Sequence, residues 1–123
     1  MKILVIGGTG TIGSKVANHF AKENTVLIGG RTNKGLPVDI SDKNSVRGLF
    51  QKTGRLDALV CIAGEAKWGP FESLTEEDFY LGIKGKLMGQ VNLVQIGVEY
   101  LNPGGSVTLS TGILADDPVL HTT

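Results

Sequence analysis

The residues best suited to chemistry stand together in one loop, Gly7-Gly8-Thr9-Gly10-Thr11-Ile12-Gly13. It fits G-x-G-x-x-G through Gly8, Gly10 and Gly13, and G-x-x-G-x-x-G through Gly7, Gly10 and Gly13. Small residues at this spacing suit a pyrophosphate: one makes a tight turn, one lets the backbone approach the phosphates, one lets helix pack on strand. Thr9 and Thr11 add hydroxyl donors. The helix that follows offers unpaired N–H groups and a partial positive charge at its N-terminus. No Gly-Lys-Ser/Thr follows, which excludes a mononucleotide phosphate loop. Gly7, Thr9, Gly10, Thr11, Ile12 and Gly13 are therefore read as part of a dinucleotide site.

An NAD site calls for a carboxylate about 20 residues further on, to hold the ribose 2′-hydroxyl. The sequence offers Gly29-Gly30-Arg31-Thr32 instead. Arg31 suits bidentate contact with a 2′-phosphate. Against the alternative of a solvated loop arginine, Arg31 and Thr32 are read as cofactor contacts, and NADP(H) is expected over NAD(H).

Other reactive side chains carry less. His19 reads as a surface or boundary residue. His121 lies near Asp116 and Asp117, but a terminal tail is not expected to hold a metal. Cys61 reads as a small buried hydrophobe. Glu65, Lys67 and Trp68 follow a strand on the side where such sheets bind ligands. Two readings stay open there: Glu65, Lys67 and Trp68 line a substrate cleft, or Trp68 and Phe71 cover the core.

These groups need a scaffold, and the apolar pattern supplies one. Lys2 to Ile6 is a continuous aliphatic run, as in a strand buried on both faces. Thr11 to Glu23 carries Ile12, Val16 and Phe20 on one helical stripe, with Asn24 as a stop. Strands are expected at Thr25 to Ile28, Pro37 to Ile40, Leu56 to Ile62 and Ser106 to Leu109. Ser41 is expected to cap a helix with Val46, Leu49 and Phe50 inward, ending near Gly54. Thr75 and Asp78 form a capping-box pattern, with Leu74 and Phe79 as its hydrophobic staple. A longer helix is predicted over 84–101, stopped by Pro103-Gly104-Gly105. The alternation gives an α/β fold: a three-layer, doubly wound parallel sheet, the NAD(P)-binding Rossmann fold, of about five strands in the order 3-2-1-4-5.

The bulk numbers agree with one soluble domain over residues 1–123. Lys plus Arg and Asp plus Glu are 12 each, so no net field recruits nucleic acid or an anionic membrane. A single cysteine forbids an internal disulfide, and no signal-peptide or membrane-spanning run is present. The expected compartment is the cytoplasm.

Beyond the glycine loop, the sequence resembles the short-chain dehydrogenase/reductase family. Asp39-Ile40 before Ser41 matches the aspartate-aliphatic pair that packs on the adenine there. Cys61-Ile62-Ala63-Gly64 is similar to its Asn-Asn-Ala-Gly and keeps the Ala-Gly half. Leu74 to Phe79 resembles the segment opening its fourth helix, and Gly104-Gly105-Ser106 its entry to strand five. The resemblance implies that Asp39, Ile40, Ala63 and Gly64 join the cofactor site, and that the activity is hydride transfer between NADP(H) and a small carbonyl or alcohol. A non-catalytic dinucleotide-binding or sensor protein, or a fragment of a family member, is the alternative.

The family's catalytic set is an Asn-Ser-Tyr-Lys tetrad. Aligned on Ile83-Lys84-Gly85, Gly82 takes the asparagine's place. The serine's position falls on Gly112 without a gap and on Thr111 with one, next to Ser110. The Tyr-x-x-x-Lys pair is expected past residue 123, so the chain is read as incomplete at its C-terminus and no catalytic residue is assigned. The 84–101 helix is too apolar for one buried face. Family members pair through it, so a homo-oligomer is expected, through that helix or the exposed edge of strand five.

Overall fold

A computed structural model of the chain describes residues 1–114 and 116–120. The aliphatic run becomes β1 (Lys2–Ile6), whose Leu4, Val5 and Ile6 are wholly buried. It pairs in parallel with β2 (Thr25–Gly29) on one side and β3 (Leu56–Cys61) on the other. β4 (Leu101–Leu109) adds parallel to β3, giving a four-stranded sheet in the order β2-β1-β3-β4. Alternate residues of β1 face opposite layers, as the pleat requires. Ile3 and Val5 pack with Ala17 of α1 (Thr11–Phe20). Leu4 and Ile6 join Val46, Leu49 and Phe50 of α2 (Lys43–Thr53) in the opposite layer.

The predicted third strand, Pro37 to Ile40, reduces to a single parallel bridge between Gly30 and Pro37. The physical reason is local. Pro37 has no N–H to continue a ladder, and the Asp39 N–H donates to Ser45 Oγ at 2.9 Å. Asp39 Oδ1 accepts from both the N–H and the hydroxyl of Ser41, so the chain turns into α2. That turn also removes Ser41 from the capping role. Asp42 is the cap, its Oδ1 accepting from the Asn44 N–H at 2.8 Å.

The long helix begins earlier than the sequence suggests. Thr75 and Asp78 make the full capping box and start α3 (Glu76–Gly82). The chain then continues without a break through a π-helical stretch (Ile83–Met88), α4 (Gly89–Gly97) and a 3-10 turn (Val98–Tyr100). Pro103-Gly104-Gly105 does not stop this helix; it lies inside β4. Leu101 pairs with Leu56, the intervening residues bulge, and Ser106 to Leu109 then pair with Ala58 to Cys61. Arg55 secures the junction, donating to the carbonyls of Glu99 and Leu101 and to Asn102 Oδ1. α1 ends at Phe20, short of Glu23, and Asn24 Nδ2 donates to the Phe20 carbonyl there. No helix among the described residues is long and apolar enough to cross a membrane.

Candidate functional site

Three parallel strands deliver their C-terminal ends to one cleft of about 500 Å³. Such crevices are where open α/β sheets bind ligands. After β1 come Gly7, Thr9 and Gly10; after β2, Arg31 and Thr32; after β3, Ala63 and Gly64, and all line the cleft with Asp39 and Ile40. Of the two glycine frames, the one through Gly7, Gly10 and Gly13 matches the geometry. Gly7 adopts φ +85° on the cleft wall. Gly8 instead packs against the Ile28 side chain. Gly13 is buried, and a Cβ there would stand 2.0 Å from the Gly7 carbonyl oxygen, so only glycine lets α1 approach the turn. Thr11 and Ile12 are exposed in the first turn of α1, beside the cleft and not on its wall. That turn has no side-chain cap and no acidic residue, leaving its N–H groups and positive end available to an anion.

Arg31 forms an ion pair with Glu65, which reaches across from the segment after β3. Both stay well exposed, at 60% and 45%, so the pair is open to competition. The wall carrying Asp39 and Ile40 is held from behind. Asn92 of α4, itself buried, donates from Nδ2 to the Ile40 carbonyl at 2.9 Å. Sequence reading missed both Glu65 as the partner of Arg31 and Asn92 as a clamp, since each contact joins residues distant in the chain.

A second cleft, of about 620 Å³, opens beyond the first, between the π-helical stretch and the end of β4. Lys86 Nζ donates to Ser110 Oγ at 2.9 Å. Gln90 holds the Ser110 backbone from both sides: Oε1 accepts its N–H at 2.9 Å and Nε2 donates to its carbonyl at 3.0 Å. Thr111 and Gly112 line the same cleft, as does Gly82. The serine's neighbourhood is therefore in place, with Ser110 anchored and Thr111 beside it.

A Tyr-x-x-x-Lys spacing does occur within the chain, at Tyr80 and Lys84. They lie before β4, however, where α3 meets the π-helical stretch, whereas the resemblance places the pair after that strand. Lys84 Nζ stands over the Tyr80 ring, 5.6 Å from its centre. Lys84 lines the first cleft.

The remaining candidates fall outside both clefts or serve the core. Trp68 and Phe71 are exposed at 59% and 74%, so neither covers the core; Phe71 meets Phe79 edge to face. His19 is exposed against Phe20. Cys61 is buried, and that burial raises its thiol pKa although the Ala63 carbonyl and the Lys86 charge pull the other way. His121 lies outside the described residues. Among those described, no three His, Cys, Asp or Glu side chains are grouped to hold a metal.

Comparison with known proteins agrees with this geometry. The family model described as enoyl-(acyl carrier protein) reductase matches residues 10–119. The chain is 28% identical to dihydropteridine reductase of Dictyostelium discoideum over 124 residues, covering 88% of this chain and 52% of that protein. It is 28% identical to the 3-oxoacyl-(acyl-carrier-protein) reductase of Thermotoga maritima, covering 80% and 49%. Among solved structures, protein lin1944 of Listeria innocua superposes with a TM-score of 0.94 at 40% identity, over 98% of this chain and 60% of that one. A small-chain dehydrogenase in complex with NADPH gives 0.89 at 31%, over 98% and 55%. The chain thus spans about half the length of the curated relatives it matches. These matches place it in one family: the chain belongs to the short-chain dehydrogenase/reductases.

Proposed function

We propose that this chain is the NADP(H)-binding domain of a reductase acting on a small carbonyl or alcohol. One observation carries the reading: Gly7, Gly10, Arg31, Asp39, Ile40 and Gly64, from four separate stretches of sequence, line a single cleft. The cradle fits the cofactor, because side chains at Gly7 and Gly13 would meet backbone where the turn folds on itself. Gly7, Gly10 and the first turn of α1 would hold the pyrophosphate, with Thr9 and Thr11 donating hydroxyls and Ile12 flanking them. Asp39 and Ile40 would flank the adenine, and Ala63 and Gly64 the ring beyond the phosphates. Arg31, with Thr32, would take the 2′-phosphate, releasing Glu65. The bound cofactor supplies or accepts a hydride. The NADPH held by one solved relative supports the choice of phosphate form.

Titration of NADPH and NADH by reduced-nicotinamide fluorescence tests this. Arg31→Ala should weaken NADPH roughly tenfold or more, the worth of a charged bidentate contact, and spare NADH. Equal losses would overturn the 2′-phosphate role, and no binding at millimolar cofactor would overturn the cofactor site. A second reading, binding without turnover, is favoured by Gly82, which lines the second cleft where the family has a catalytic asparagine. Binding of NADPH with no oxidation of it by any carbonyl compound would select that reading. The domain is further proposed to work in the cytoplasm as a homo-oligomer.

A further inference from the structure

Asn92 is a polar residue in an apolar layer. It is 3% exposed and stands next to Leu93, which is fully buried in one cluster with Ile40, Val46 and Phe50. Its Nδ2 donates to the Ile40 carbonyl at 2.9 Å. Its Oδ1 is buried and has no hydrogen-bond partner. A buried acceptor left unpaired costs stability, and native proteins keep few of them. A leucine of similar size would fill this space with no orphaned atom. Fold stability alone therefore does not account for an asparagine here, whereas the bond to Ile40 does.

The same turn of helix grips Ile40 twice. Gly89 is buried and brings the α4 backbone against the Ile40 side chain: a Cβ at Gly89 would lie 2.6 Å from both Ile40 Cγ1 and Ile40 Cδ1. Gly89 and Asn92 are three residues apart and share one helix face. One seats the side chain and the other holds the carbonyl. Ile40 lines the cofactor cleft beside Asp39. Little else fixes this wall. The parallel bridge joins Gly30 to Pro37, the Val38 N–H reaches the Gly30 carbonyl, and among the described residues no ladder continues to residues 39 and 40. The clamp from α4 does there what a neighbouring strand would otherwise do.

We propose that Asn92 is a positioning residue for the adenosine half of the cofactor, setting the wall against which the base lies through the Ile40 carbonyl. The assignment rests on the NADP(H)-binding reading of the cleft. Without the Nδ2 bond, the Ile40 carbonyl is a buried acceptor beside an open cleft. Turning it toward water in that cleft satisfies it and moves the wall. Removing Asn92 thus separates two quantities that a purely structural residue would change together: affinity falls while stability holds.

Asn92→Leu tests this on the whole chain, with thermal melts beside two titrations. NADPH is followed by its fluorescence, and adenosine 2′,5′-bisphosphate, which carries only the adenosine half, by displacement of NADPH. The variant should melt within about 4 °C of the wild type. It should lose roughly five- to tenfold in NADPH affinity and the same factor for the bisphosphate. Unchanged NADPH affinity overturns the proposal, and so does a loss for NADPH that the bisphosphate does not share. A melt lowered by more than about 8 °C makes Asn92 a residue of the fold and overturns it as well. In the wild type, the Asn92 side-chain amide resonances should shift when the bisphosphate binds. Their failure to move overturns the proposal even where Asn92→Leu does not fold. A wild type that binds neither compound removes the cofactor reading and this assignment together, whereas a wild type that binds both, with Asn92→Leu unaffected, removes this assignment alone.

Discussion

At the scale of single residues, the ion pair between Arg31 and Glu65 sets a testable competition. Both side chains are largely exposed, and exposed pairs are worth about 0.2–1 kcal/mol. A 2′-phosphate entering the cleft must take Arg31 from Glu65, so the pair opposes cofactor binding by that amount. Glu65→Gln should therefore tighten NADPH by roughly 1.4- to fivefold and leave NADH nearly unchanged. A fluorescence titration reads this directly, and weaker NADPH binding by the variant would show that Glu65 helps to hold the cofactor. The absence of a carboxylate in Gly29-Gly30-Arg31-Thr32 singled out Arg31 in the sequence, and the structure sets Arg31 on the cleft wall. Glu65 was legible only as a cleft candidate. Lys86, Gln90 and Ser110 could not be joined from sequence, because their meeting depends on a π turn that no spacing announces.

At the scale of elements, the charged caps make stability depend on acidity. Asp78 is held below the ordinary carboxylate range by the Thr75 N–H and hydroxyl that start α3. Asp57 is lowered by the Asn102 amide and the Lys2 N–H, tying the starts of β1, β3 and β4 together. Both folded values lie below the unfolded one, so the unfolded chain binds protons first as pH falls. Their contribution is complete above the unfolded pKa of about 3.9 and disappears as pH drops through the folded values. Urea melts from about pH 5 to about pH 3 should lose less stability in an Asp57→Asn, Asp78→Asn double variant than in the wild type; parallel curves would refute it. The capping box was readable because its four residues are contiguous. The third strand was misread because Pro37 to Ile40 has a strand's composition while Ser45, six residues on from Asp39, captures its backbone. The continuity of this capped turn with the 84–101 helix was missed because Gly82 looks like a breaker, whereas the chain runs on through it. Packing overrides that propensity: Gly89 is buried where the helix passes Ile40.

At the scale of the whole molecule, the sheet has two edges. β2 is flanked by no more than the Gly30–Pro37 bridge beyond its end, and among the described residues β4 pairs with β3 alone and forms the opposite edge. Beside that edge, Leu87, Val91, Val94 and Leu109 line an apolar groove. Leu87 and Leu109 are 59% and 46% exposed, whereas Leu93 on the same helix is fully buried. Sequence reading anticipated this surplus of apolar residues; the structure assigns Leu93 to the core, packs Ile96 and Leu101 against it, and leaves Leu87, Met88 and Val98 outward. Unpaired strand edges next to apolar surface template association. The 123-residue chain is therefore expected to self-associate at micromolar concentration, as sedimentation velocity would report. A lysine on an edge strand opposes pairing by placing a charge where a second strand would dock. Thr108→Lys, at an exposed β4 position, should shift the distribution toward monomer while leaving NADPH affinity intact, because Thr108 lies outside the cofactor cleft. A wild-type chain that stays monomeric across the concentration series would refute the expectation. Association that Thr108→Lys leaves untouched would move the contact from the β4 edge to the helix face bearing Leu87 and Val94.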